Sequence, residues 1–206
     1  SQATCWTLIR SASAGSEEDR ERFAARYMDI VRMYLAHRWR GTGMLSELDD
    51  AIQEVFLELF REGGVLDAVR ERRPSSFRGF LYGVSRNVAR RREKDVARRR
   101  RRYPAVAIDP ERHEADEASQ SRIFDRAWAQ AVFRQAGELQ REKAEAADEP
   151  ARARVRILEL RHQENMPIRE IAVRWGQEAA ALHREYAKAR AEFKSALLEV
   201  LSFHYP

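Results

Sequence analysis

The sequence predicts an all-α protein: two small helical domains, residues 1–102 and 120–206, joined by an acidic linker over 103–119. Three observations carry that prediction. Apolar residues recur at helical steps of three and four through most of the chain. No run alternates apolar and polar residues for long enough to build a strand. Between the helical halves, Pro104 and Pro110 interrupt helix, and Asp109, Glu111, Glu114, Asp116 and Glu117 outnumber Arg112.

The elements follow in order. Phe23, Tyr27, Ile30 and Tyr34 stripe a helix that runs to about Trp39, where Gly41-Thr42-Gly43 breaks it. Leu48, Ala51, Ile52, Val55, Phe56, Leu59 and Phe60 stripe a second, with Asp49, Asp50, Gln53, Glu54 and Glu58 on its other face and Gly63-Gly64 at its end. Residues 65–76 hold Pro74 and read as a basic loop. Phe77, Phe80, Leu81, Val84 and Val88 stripe a third helix, which runs on into a block of arginines. After the linker, Ile123, Ala127, Ala131, Val132 and Leu139 support a helix of about twenty residues. A second break spans 144–152, and further helices are expected near 151–163, 168–175 and 179–201.

Composition narrows the function. Charged residues make up 34% of the 206, mean hydropathy is −0.66, and no apolar run is long enough to span a bilayer. The N-terminal residues lack the pattern of a secretion signal, with Glu17, Glu18 and Asp19 soon following. One cysteine, Cys5, excludes an internal disulfide and suits a reducing cytoplasm. The histidines His37, His113, His162, His183 and His204 are scattered without ligand spacing. With no phosphate-cradling glycine loop and no nucleophile–base pair, neither an enzyme nor a cofactor is expected. Net charge is +5, and it is concentrated: from Arg86 to Arg102 only Glu93 and Asp95 oppose ten basic residues. A polyanion is the natural partner of such a block.

Near the C-terminus a short amphipathic stretch, IREIAVRW, ends at Gly176. A longer one follows, with Leu182, Tyr186, Ala189 and Phe193 on its core side. This is the helix-turn-helix pattern, whose second helix can lie in the DNA major groove. His183, Arg184, Ala187 and Lys188 fall on the opposite face. Arg184 has the chemistry to pair with guanine, and Lys188 and Arg190 to hold phosphates. A plain helical hairpin with a solvated charged face fits the same spacing.

Taken together, DDAIQEVFLELF, FRGFLYGVSRNVARRR and the EIAVRWG…AR frame resemble the extracytoplasmic-function class of bacterial sigma factors, which keep only regions 2 and 4. Glu170, Ile171, Ala172, Gly176, Ala189 and Arg190 fall on the region 4 frame. The chain departs from it at Ala180-Ala181, where the family usually has Gly-Thr, and at His183-Arg184-Glu185-Tyr186. The resemblance implies that Asp49, Asp50, Gln53 and Glu54 dock on the β′ clamp helices of core RNA polymerase. It implies that the loop residues Arg70, Arg72, Arg73, Ser75 and Ser76 and the helix residues Tyr82, Arg86, Asn87, Arg90 and Arg91 meet the minus-10 DNA. It assigns minus-35 DNA to His183, Arg184, Ala187, Lys188 and Arg190, and contact with the polymerase β flap to the same domain. Phe77 and Phe80 keep core spacing, whereas Tyr82 lies off that stripe and is the candidate for base stacking. An anti-sigma or other signalling partner is also implied, with no cofactor.

Two questions stay open at this level. The acidic linker either imitates nucleic acid within the polymerase or is a solvated tether. A helix-turn-helix regulator acting on duplex DNA accounts for the C-terminal half alone and leaves the first two motifs without a task.

Overall fold

Every regular element among the described residues, 4–61, 76–102 and 117–205 of a computed structural model, is helical. The chain forms two compact units, one of Ser1–Ala131 with Phe203–Pro206 and one of Val132–Ser202. None of the described helices is long and apolar enough to cross a membrane.

The first unit opens with a helix that the apolar pattern does not announce, α1 (Cys5–Ser13). Thr4 starts it by a reciprocal cap. Its hydroxyl accepts from the Thr7 N–H at 3.2 Å, while the Thr7 hydroxyl accepts from the Thr4 N–H at 2.7 Å. Helix α2 (Glu17–Arg38) is capped by Ser16 and has Glu17, Glu18 and Asp19 in its first turn and His37 and Arg38 in its last. Each charge opposes the adjacent end of the helix dipole. A 3₁₀ turn (Leu45–Glu47) leads into α3 (Leu48–Phe60), and α4 runs over Phe77–Arg102.

These helices close on an aromatic core. The ring of Phe23 meets Tyr27, Phe56, Phe60 and Phe77 at centroid distances of 4.5–6.0 Å. Phe23, Tyr27, Tyr34 and Phe77 are fully buried. Each such side chain contributes roughly 2–3 kcal/mol by leaving water, with edge-to-face packing adding to it.

Helix α5 (Glu117–Ala146) is longer than expected at its start. Its residues Phe124 and Trp128 pack in the first unit, on Tyr34 and Tyr27, whereas the linker boundary in the sequence assigns 120–131 to the second domain. His204 joins that core too. His204 is 2% exposed, lies 4.9 Å from the Trp128 ring, and its Nδ1 is 3.2 Å from the Tyr27 hydroxyl. The Cys5 thiol donates to the His204 carbonyl across 3.6 Å. Burial drives the His204 pKa down to about 4, with the Arg26 charge acting the same way.

The second unit holds the rest of α5, α6 (Glu149–His162), α7 (Ile168–Trp175) and most of α8 (Ala179–His204). Asp148 caps α6 by accepting from the Ala151 N–H at 2.8 Å, with Pro150 in the first turn. Ile157, Leu160, Ile168, Ile171, Ala172 and Leu182 form the core, joined by Met166, Trp175 and Tyr186. The Gln140 side-chain amide donates to the Ala189 carbonyl at 3.0 Å and so fastens α5 to α8.

Candidate nucleic-acid interface

In the second unit the sharp turn between α7 and α8 depends on Gly176, whose φ is +62°. The left-handed conformation costs a residue with a Cβ about 1 kcal/mol or more, so glycine belongs there. The turn is sealed where the Gln177 N–H reaches back to the Ala172 carbonyl at 2.9 Å. With Leu182 and Ala189 buried on α8, the helical period turns His183, Arg184, Ala187, Lys188 and Arg190 outward, and all five are exposed.

The charge on this face is edited by its neighbours. Lys188 pairs with Glu185 at 2.7 Å, and Arg154 of α6 reaches Glu185 at 3.5 Å and Glu192 at 2.8 Å. The Lys188 hydrogen bond foremost, with the Arg154 charge behind it, lowers the pKa of Glu185. The acid that lies between the predicted base-reading residues is thereby offset. Arg190 lies with its guanidinium 5.8 Å from the Tyr186 ring, and the Tyr186 hydroxyl meets His162 Nε2 at 3.2 Å.

In the first unit, α4 emerges from the core with one long polar face. Asn87, Arg90, Arg91, Lys94, Asp95 and Arg98 line a shallow groove of about 360 Å³ along it. Their spacing of three and four places four cations on one stripe. Asp95 tempers its far end, 3.6 Å from Arg98.

The remaining candidates sit differently from one another. Ser76 has a local task, since its hydroxyl accepts from the Gly79 N–H at 3.1 Å at the start of α4. Tyr82 is half-buried, its ring 5.6 Å from Tyr34 and 5.2 Å from Phe124, with the Arg86 guanidinium 6.0 Å from its centroid. The stacking candidate thus already has two aromatic neighbours. Arg70, Arg72, Arg73 and Ser75 lie outside the described residues, as do the linker residues 103–116.

On α3, Asp49, Asp50 and Gln53 are exposed beside Leu57, whose exposure of 64% is high for so large an apolar side chain. Asp49 receives Arg32 of α2 at 2.8 Å. Glu54 behaves otherwise. It is gripped by both Arg91 and Arg92 of α4, while Glu58 also takes Arg91 at 2.9 Å and Glu47 takes Arg92 at 2.9 Å. Burial pushes the Glu54 carboxyl up, but the hydrogen bonds and charges of Arg92 and Arg91 outweigh it and hold the group below the usual carboxylate range. A residue expected to face a protein partner and one expected to face DNA therefore hold each other. No spacing rule in the sequence links them, because the contact joins positions 37 residues apart.

Comparison of the chain with protein-family models and with curated proteins finds no match to either.

Proposed function

We propose that this chain is an initiation factor of the sigma type, a non-catalytic protein of the cytoplasm that binds core RNA polymerase and directs it to promoter DNA. What supports the reading most is the α4 stripe. Asn87, Arg90, Arg91, Lys94 and Arg98 line one groove, and at 1.5 Å per residue the stripe runs for about 17 Å. Measured along the axis of a duplex, that length covers about five base steps at 3.4 Å each. The stripe begins within the motif FRGFLYGVSRNVARRR, on which the resemblance to region 2 rests, and takes Asn87, Arg90 and Arg91 from it. The exposed basic face of α8 supports the second half of the reading, minus-35 recognition through Arg184 and Lys188. The α3 face of Asp49, Asp50, Gln53 and exposed Leu57 suits a basic, partly apolar protein surface such as the β′ clamp helices. Binding contacts, without hydrolysis, would supply the energy of strand opening, so the reading needs no cofactor. An anti-sigma or similar partner would hold the factor until release.

The test is run-off transcription on genomic DNA with bacterial core polymerase, with and without the protein. Discrete transcripts that depend on the protein and disappear in the Arg184→Ala, Lys188→Ala variant are the expected result. Absence of both transcripts and co-migration with core would remove the sigma reading. Tight binding of the free protein to duplex DNA in that case would make it a helix-turn-helix regulator.

A further inference from the structure

The carboxylates of α3 and the guanidiniums of α4 form one network. Glu54 takes Arg91 on one oxygen and Arg92 on the other, Glu58 adds a second hold on Arg91, and Glu47 a second on Arg92. Asp50 stands 4.0 Å from Arg92. Arg91 is at the same time a wall of the α4 groove.

We infer that Glu54 and Glu58 occupy Arg91 of the free protein as phosphate would, so that a cationic surface drawing these carboxylates away opens that arginine to a nucleic-acid strand. The inference deepens the sigma reading, on which the identity of that cationic surface rests.

Three observations argue for it. Carboxylate and phosphate oxygens satisfy a guanidinium fork in the same way, so each excludes the other from a given arginine. The carboxylates belong to the helix whose outer face carries Asp49, Asp50 and Gln53, so a basic partner arriving there meets Glu54 and Glu58 as well. The network is also open enough to exchange: the Arg91 side chain is 50% exposed, and ion pairs of that exposure are weak and salt-sensitive. A network serving only to brace α3 against α4 would gain nothing from leaving Arg91 half in water at the edge of a basic groove.

The test uses the full chain without polymerase and a fluorescent single-stranded oligodeoxynucleotide, titrated across salt concentrations. The Glu54→Gln, Glu58→Gln variant should bind roughly tenfold more tightly at low salt, the sum of the two weak ion pairs that hold Arg91. One extra phosphate contact, at Arg91, should also steepen the logarithmic salt dependence by about 0.7, Arg92 staying with Glu47. Glu17→Gln, Glu18→Gln makes the same change in net charge on an exposed turn of α2 and should leave the slope unchanged. An equal rise in both variants would reduce the effect to net charge and overturn the inference, as would no rise in the first. Circular dichroism checks helicity. Should the double variant unfold, Glu58→Gln decides alone: it breaks one of the two holds on Arg91 and should steepen the slope by less than about 0.7, and an unchanged slope would overturn the inference.

The two proposals fail separately. Unmasking without polymerase-dependent transcripts would keep the carboxylate lock and discard the sigma reading. Transcripts without unmasking would do the reverse.

Discussion

Glu93 offers the sharpest test of how the first unit is fastened. From the middle of α4 it receives the end of α2 through three hydrogen bonds. Arg38 Nε donates to Oε1 at 2.7 Å, Arg38 Nη2 to Oε2 at 2.9 Å, and the Trp39 indole N–H to Oε1 at 2.9 Å. Trp39 is fully buried, and the side chains of Arg38 and Glu93 are 13% and 20% exposed. Glu93→Ala strands a cation and an indole donor in a poorly hydrated site. Breaking a fully buried pair costs about 3–5 kcal/mol, and the residual exposure places this one at the lower end. The lost indole bond adds about 1 kcal/mol, for a loss of about 4 kcal/mol. Glu93→Gln keeps an acceptor for Trp39 and loses the charge, at about 1–2 kcal/mol. Urea unfolding followed by near-ultraviolet circular dichroism measures both. In a double-mutant cycle with Arg38→Ala, the coupling should reach about 2 kcal/mol. Equal costs for the two Glu93 variants, or a loss below about 1 kcal/mol for the alanine, would refute the claim that the charged fork fastens α2 to α4.

Further predictions concern the ends of the chain and the α7–α8 turn. The folded pKa of His204, about 4 against an ordinary 6.5, means that the unfolded chain holds the extra proton between those values. Its contribution to stability is therefore complete above about pH 6.5 and lost as pH falls towards about 4, amounting to about 2 kcal/mol by about pH 5. His204→Gln should flatten that part of the stability–pH curve, and an unchanged slope would place His204 in water. Burial raises the Cys5 thiol to about 12, so the native protein should resist aromatic disulfide reagents at neutral pH and react promptly in urea. Reaction at equal rates in both conditions would count against the burial. Gly176→Ala puts a Cβ where no neighbouring heavy atom lies within 4 Å, so only backbone strain acts. A loss of about 1 kcal/mol is expected from denaturant unfolding.

How far the sequence anticipates the structure depends on which chemistry a segment uses. Helices α2, α3, α4 and α7 are legible because their inner faces are built of apolar residues at helical spacing. The beginning of α5 is not, because its inner face includes Gln120, and farther along Gln135 and Gln140, all buried. A count of apolar positions passes over them. Helix α1 is too short for periodicity to stand out, and its signal is the Thr4–Thr7 cap. For the candidate site, the outward faces of α8 and α4 follow directly from where the apolar stripes lie. The hold of Glu54 on Arg91 and Arg92 does not, because it depends on the register in which two separate helices pack. Burial of His204 is hidden for the same reason: nothing local to a short polar tail says which distant core it completes.

The burial of His204 has a consequence for how the chain is made. The second unit is an insertion within the first, because the Trp128–Tyr27 corner receives His204 only after the 71 residues 132–202 have been added. At about 5–20 residues per second, synthesis of that insertion takes roughly 4–14 s. Throughout that interval an aromatic surface stands incomplete on the ribosome, open to chaperones and to other nascent chains. Helices α1 and α2, which emerge before that insertion, are thus sealed only after it.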